Sequence, residues 1–139
     1  MQVNPPTGDG ITGNREQTYQ DRSGQIALVE YKVYTALLTQ SSTSAPGAVV
    51  LGNTLGGGIA WSYDSPGSYS ATLAGAFTDA KTTIMVGPLN TWPYDSAVGY
   101  IVSARRLDEN TLEFKVLKAN NFDPSDEVFN CTIEIRVYP

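Results

Sequence analysis

The sequence lacks histidine and has a single cysteine among its 139 residues. Histidine is the side chain whose charge changes most readily near neutral pH, and it is a common metal ligand, so its absence disfavours catalytic and metal centres. One cysteine cannot form a disulfide within the sequence. Cys131 alternates with Ile133 and Ile135 in a strand-like pattern, so we expect a small buried apolar side chain and not a nucleophile.

Basic runs and long apolar runs are also missing. The formal net charge is −5, and Arg105 and Arg106 are the only adjacent basic residues, which disfavours nucleic-acid binding because phosphates attract clustered Lys and Arg. No apolar run approaches the ~18 residues of a membrane helix, and the first residues lack the basic and apolar segments of a secretion signal. We therefore expect no nucleic-acid partner, no membrane partner and synthesis in a cytoplasm.

Short apolar runs separated by turn residues make up most of the sequence, which contains 13 Gly and 8 Pro. Eight strands are predicted, over residues 26–39, 48–51, 59–63, 68–73, 82–86, 98–104, 111–117 and 129–138. Their spacing and the absence of a helical period predict an all-β protein, an antiparallel β-sandwich of about eight strands. The pattern does not distinguish a jelly-roll-like from an immunoglobulin-like topology.

Alternation within the strands predicts which side chains form the core. In the first strand the odd-numbered residues are assigned to the core, because Glu30 and Lys32 have the other parity. Pro66 and Gly67 occupy the central positions expected of a type II turn, which predicts a hairpin between the third and fourth strands. The predicted core residues are Val33, Trp61, Leu73, Phe114, Ile133 and Ile135.

Residues 1–24 differ in composition from the rest of the chain. Val3, Ile11 and Tyr19 are the only sizeable apolar residues after the initial Met, too few to offset the entropy lost when the segment becomes ordered. The segment is therefore either a disordered terminus or an extended arm ordered by the surface of a neighbouring subunit. We divide the chain into an arm, residues 1–24, and a β-sandwich domain, residues 25–139.

Trp92 and Tyr94 are the candidate ligand-binding aromatic residues. They lie in a predicted loop, next to Pro93 and Asp95, and loosely fit the exposed aromatic platform of a sugar-binding sandwich. Aromatic side chains in small β domains are more often part of the core or of a subunit interface. The sequence leaves both interpretations open.

Acidic residues offer two further candidates. The loop from Asp123 to Glu127 has oxygen ligands suited to calcium, but it lacks the ligand series and central Gly of an EF-hand loop. The alternative is a solvated turn that begins with Asp123 and Pro124. A carboxylate pair for glycoside hydrolysis requires a separation of roughly 5 to 9.5 Å, which sequence does not supply. We expect no catalytic residue, no metal and no cofactor. The four acids considered for such a pair are Asp64, Asp95, Asp108 and Glu113.

Four segments carry a resemblance to known proteins, residues 30–40, 51–57, 72–82 and 133–139. They resemble small proteins and C-terminal modules encoded in phages, prophages and environmental viral sequences, in fibre-like or capsid-accessory settings. The resemblance covers most of residues 24–139 and does not include the arm. It implies a virion protein made in the cytoplasm of a host bacterium, which binds copies of itself, with a trimer expected, and other virion proteins.

The leading hypothesis is therefore a non-enzymatic bacteriophage virion structural protein of the capsid-accessory, decoration or tail-fibre type, anchored by its N-terminal arm. The alternative is a carbohydrate-binding, lectin-like module whose Trp92 and Tyr94 stack on a glycan. A small hydrolase is the third hypothesis.

Overall fold

The computed structural model describes residues 30–87, 90–91, 99–126 and 129–139. These residues form strands, turns and loops, and none of them is helical. The predicted arm and its boundary at residue 24 lie outside the described residues. The strands are β1 (Lys32–Gln40), β2 (Gly47–Asn53), β3 (Ala60–Ser65), β4 (Ser68–Thr72), β5 (Thr82–Val86), β6 (Asn90–Thr91), β7 (Tyr100–Arg106), β8 (Thr111–Lys118) and β9 (Phe129–Val137).

The strands form two antiparallel sheets. The first has the order β2-β1-β9-β5, and the short β6 also pairs with β9. The second has the order β3-β4-β8-β7. The prediction of an all-β antiparallel sandwich is confirmed, and each of the eight predicted strands has an observed counterpart, with β6 added.

The prediction for the buried face of β1 is wrong. Tyr34, Ala36 and Leu38 are buried, whereas Val33 is only half-buried and Leu37 is exposed. The residues after Lys32 are apolar or weakly polar on both faces, so the charges at the start of the strand could not identify the core face. β1 lies between β2 and β9, and packing against the second sheet selects the even-numbered face.

The rest of the predicted core is largely confirmed. Phe114, Ile133 and Ile135 are buried, and Trp61 and Leu73 are partly buried and pack against them. The two sheets are joined by a hydrogen bond that Trp61 Nε1 donates to Tyr34 Oη at 3.4 Å. Cys131 is also buried, as predicted, and burial raises the pKa of its thiol to about 11, so the thiol is inert near neutral pH.

The hairpin between β3 and β4 forms where it was predicted. Ser65 lies opposite Ser68, so Pro66 and Gly67 make a two-residue loop. Gly67 has a φ of +63°, the left-handed conformation that the third position of a type II turn requires. The register shifts by one residue between Tyr63 and Ser65, and the resulting bulge adds the local twist that a type II turn does not supply by itself.

Candidate assembly surface

A long segment of the chain contains no charged residue. Asp, Glu, Lys and Arg make up 17% of the sequence, yet none occurs from residue 33 to residue 63. This segment includes nearly all of β1, the whole of β2 and most of β3. Charge-free surface is unusual on a soluble protein and is typical of the centre of a protein–protein interface.

β2 presents the most apolar part of this segment to solvent. It is an edge strand, paired with β1 alone among the described strands. The exposed fractions of Val49, Val50 and Leu51 are 60%, 50% and 60%. An uncharged edge strand with free backbone N–H and C=O groups is a template on which another strand can pair.

The neighbouring strand extends this apolar surface. Leu37 of β1 lies directly opposite Val49, and its side chain is 43% exposed on the outer face of the sheet. On its other side Leu37 lies opposite Thr132 of β9. We call the four residues Leu37, Val49, Val50 and Leu51 the β2 patch.

A bulge shapes the patch. Thr35 lies opposite Gly52, whereas Ala36 lies opposite Val50, so Leu51 is the extra residue on β2. A bulge of this kind locally increases the twist of the strand. Although bulges can protect an edge from pairing, this one leaves the residues from Gly47 to Val50 in regular register with β1.

The edges of the second sheet carry charges that β2 lacks. On β3, Asp64 sits at the bulge and accepts hydrogen bonds from the hydroxyls of Ser62 and Ser70. On β7, Arg105 forms an ion pair of 2.5 Å with Glu113, and Arg106 forms one of 2.9 Å with Asp79. Charges and bulges on edge strands oppose unplanned pairing.

The fourth edge lies close to the other sheet. β5, whose own residues are uncharged, lies beside β7, and its side chains alternate between half-buried and exposed. Among the described edges, β2 alone combines an uncharged sequence with three consecutive exposed apolar side chains.

Charged groups mark where the patch ends on the outer face of the first sheet. Arg136 of β9 hydrogen-bonds to Glu134, and its guanidinium lies 4.8 Å from the centre of the Tyr31 ring. The Tyr31 ring is 5.5 Å from that of Tyr138. Hydrogen bonds to Tyr138 and Glu134 raise the pKa of Arg136. The β2 patch therefore ends at β9, and these groups separate it from the exposed Met85 of β5.

The acidic loop has a structural role in which Asp126 is the central residue. Its carboxylate accepts hydrogen bonds from Tyr63 Oη at 3.0 Å and from the backbone N–H of Gly67 at 2.7 Å. Burial and the carboxylate of Asp126 raise the pKa values of Tyr63 and Tyr69. The loop therefore holds the β3–β4 turn in place.

The turn in this loop lies at residues 119–121, before Asp123 and Pro124 and not at them, and the backbone N–H of Asp123 donates to Asn121 Oδ1 at 3.1 Å. Within the described ranges there is no group of three acidic, His or Cys side chains placed to hold a metal ion. Glu127 lies outside these ranges.

The described acids that were considered for hydrolysis each have a local partner. Glu113 pairs with Arg105 at 2.5 Å and with Lys115 at 3.5 Å, and the hydrogen bond from Arg105 is the main cause that lowers its pKa. Asp108 accepts a hydrogen bond of 2.7 Å from the backbone N–H of Asn110. Asp64 is held by serine hydroxyls at the bulge, and Asp95 is outside the described residues.

One cleft opens at the end of the sandwich where the described chain begins. Its volume is about 470 Å³. Glu30, Lys32, Lys81 and Tyr138 are among the residues that line it, so its wall combines charges of both signs.

All five site residues proposed from the sequence lie outside the described residues. Val3, Ile11 and Tyr19 of the arm stay predictions, as do Trp92 and Tyr94. Sequence reasoning missed the β2 patch, although the charge-free run from residue 33 to residue 63 was a signal that could have led to it. Nor does the described part of the chain contain a helix long and apolar enough to span a membrane.

Comparisons with known proteins give no relative for this chain. No protein-family model matches it, and no curated protein and no solved structure matches it either.

Proposed function

We propose that the chain is a non-enzymatic structural protein of a bacteriophage virion, which self-associates and is anchored by its N-terminal arm. The observation that carries the self-association is the β2 patch, an uncharged edge strand with exposed Val49, Val50 and Leu51. Strand pairing at such an edge satisfies free backbone groups and removes apolar surface from water at the same time.

Electrostatics favour this edge as the point of contact. Copies of a chain with a net charge of −5 repel one another. The repulsion is smallest where the two surfaces carry no charge of their own, and β2 and the loop before it contain none. Charged side chains on β3 and β7 would have to lose water or find new partners in a contact.

The virion setting is supported by the resemblance of four segments to phage-encoded modules. A sandwich held by an apolar core and not by disulfides suits a protein that is assembled inside a bacterial cell. In this proposal the protein resides in the virion, where residues 1–24 contact other virion proteins.

The number of copies depends on how the edge is used. An edge strand that pairs with the same strand of another copy closes a dimer. An edge that pairs with a different surface forms a ring, such as the trimer expected from the resemblance, when the rotation between copies closes. The carbohydrate-binding alternative depends on Trp92 and Tyr94, and no contact of the described residues favours it.

Light scattering on the purified chain, over a range of concentrations, tests the proposal. We expect an oligomer that dissociates on dilution, and Val49→Lys should weaken association by at least about tenfold, because like charges in one interface cost several kcal/mol. The control is Ser62→Lys, an exposed position on the edge strand β3, which should leave the mass unchanged. A wild-type chain that is monomeric at high micromolar concentration would contradict self-association.

The virion assignment has its own test. Cryo-electron microscopy and mass spectrometry of purified particles from a host that carries the gene should find the chain at defined positions. Purified particles that do not contain the chain would show that it is not a virion component.

A further inference from the structure

We propose that β2 pairs antiparallel with β2 of a second copy, about a two-fold axis, so that the first sheets of the two copies become continuous. This inference rests on the self-association proposed above and names the occupant of the β2 patch.

Symmetry places strict demands on such a contact. When a strand pairs antiparallel with its own copy, one residue must lie directly opposite itself, and a charge near this residue approaches the same charge on the other copy. Like charges directly opposite one another destabilise a sheet. β2 has the sequence GAVVLGN, so every cross-strand pair in the contact is apolar, small or neutral.

The length of the strand selects the register. Pairing over the full strand, Gly47–Asn53, places its central residue, Val50, opposite Val50 of the second copy. Val49 then lies close to Leu51, the bulged residue of the second copy, and the two patches meet. Apolar side chains that meet across two strands remove one another's surface from water.

The other edges are poor candidates for the same contact. Self-pairing of β3 would bring two Asp64 carboxylates into one short interface, and Asp64 already accepts hydrogen bonds from Ser62 and Ser70. Self-pairing of β7 would do the same with Arg105 and Arg106, which are held by their ion pairs to Glu113 and Asp79. Of β2, β3 and β7, only β2 can be shared by two copies without burying like charges. β5 is also uncharged, but it lies beside β7 and does not expose consecutive apolar side chains.

Cysteine cross-linking of the full chain tests the inference. Val49→Cys, Val50→Cys and Leu51→Cys are made one at a time. Opposed Cα atoms of an antiparallel pair are about 4.5 to 5.5 Å apart, within the range of about 4.4 to 6.8 Å that a disulfide spans. The native Cys131 is buried, so it does not compete for the cross-link.

The matched control is Ser62→Cys, a nearly isosteric change at an exposed position on the edge strand β3. Each variant is oxidised mildly at a concentration where the wild type is associated, and covalent dimers are measured on non-reducing gels. Thermal melting of each reduced variant verifies that it is folded. We expect Val50→Cys to form a disulfide-linked dimer at least about tenfold faster than Ser62→Cys, since only an aligned pair has the required geometry.

The outcomes separate this inference from the proposed function. A fast cross-link at Val50, with slower cross-linking at Ser62→Cys, supports the two-fold pairing. An associated wild type whose variants at all three β2 positions cross-link no faster than the control overturns the pairing and leaves self-association standing, with the arm of a neighbour as the next occupant to test. A wild type that remains monomeric overturns both.

Discussion

Leu37 of β1 and Val49 of β2 lie directly opposite each other, and both side chains are exposed on the outer face of the sheet. Side-chain pairs of this kind usually lie on the face of a sheet that is covered. The pair adjoins an edge strand that has no charged residue to discourage pairing. This arrangement is expected of a surface that becomes buried in an assembly.

The first prediction separates the role of this pair in assembly from its role in folding. Leu37→Thr keeps a residue with good strand propensity on an exposed face, so the free energy of unfolding of the isolated domain should change by no more than about 0.5 kcal/mol. Self-association should weaken, because the patch loses apolar area. Sedimentation and chemical denaturation measure the two effects. If the free energies of unfolding and of self-association change equally, or if association does not change, Leu37 lies outside the interface.

The second prediction concerns the β3–β4 turn. Gly67→Ala should be strongly destabilising for two reasons: Gly67 has a φ of +63°, and an added Cβ would collide with the Val116 carbonyl oxygen and lie 2.7 Å from the Ser125 backbone nitrogen. Gly75 is a matched control, since its φ is +64° and an added Cβ would have no neighbour within 4 Å.

Gly75→Ala should therefore cost only the strain of a left-handed alanine, about 1 kcal/mol. Gly67→Ala should cost at least about 2 kcal/mol more, because the acidic loop must move away from the turn. Urea denaturation of the two variants gives the comparison. Equal losses would mean that the loop does not pack on the turn as described.

Much of the fold could be predicted from the sequence, because turn residues and alternation within strands are local patterns. Pro66 and Gly67 identify the hairpin, and alternation across β8 and β9 identifies Phe114, Ile133 and Ile135 as core residues. The face of β1 could not be predicted, since both of its faces are apolar and only the second sheet decides which one is buried.

The β2 patch could not be predicted from local sequence patterns, because it depends on the order of the strands. The charge-free segment is visible in the sequence, but its meaning depends on which strand lies at the edge of a sheet. Strand order is set by contacts between residues far apart in the chain, such as those of β1 with β9. The arm residues and the loop aromatics, which the sequence did suggest, stay predictions.

The third prediction concerns pH. A hydrogen bond from Arg105 lowers the pKa of Glu113 below its ordinary value of 4.5. A carboxylate whose pKa is lower in the folded than in the unfolded state stabilises the fold above the unfolded value, and this contribution is lost as the pH falls through the folded value. The free energy of unfolding of the wild type should therefore fall more steeply below pH 4.5 than that of Glu113→Gln.

Glu109→Gln, at an exposed position, is the control and should follow the wild-type profile. The difference should shrink at high salt, because the Arg105 side chain is 65% exposed and salt screens exposed pairs. Parallel profiles for the wild type and Glu113→Gln would show that the pair does not form in solution.

The last prediction concerns the arm. Deletion of residues 1–24 should leave the melting temperature of the sandwich nearly unchanged and should weaken incorporation into particles. The reason is that Val3, Ile11 and Tyr19 are too few and too widely spaced to add to a core. Ordering about twenty residues costs on the order of 20 to 40 kcal/mol of backbone entropy, which only an extended interface with another subunit can offset.

Two measurements on the truncated chain decide the role of the arm. Calorimetry gives its stability, and competition with the full-length chain during particle assembly gives its incorporation. If the truncated chain unfolds, the arm is an integral part of the sandwich and the proposed domain boundary is wrong. If neither quantity changes, the arm does not anchor the protein. A loss of incorporation with unchanged mass in solution would assign the arm to contacts with other virion proteins and leave contacts between copies to the β2 patch, because the two surfaces would then act independently.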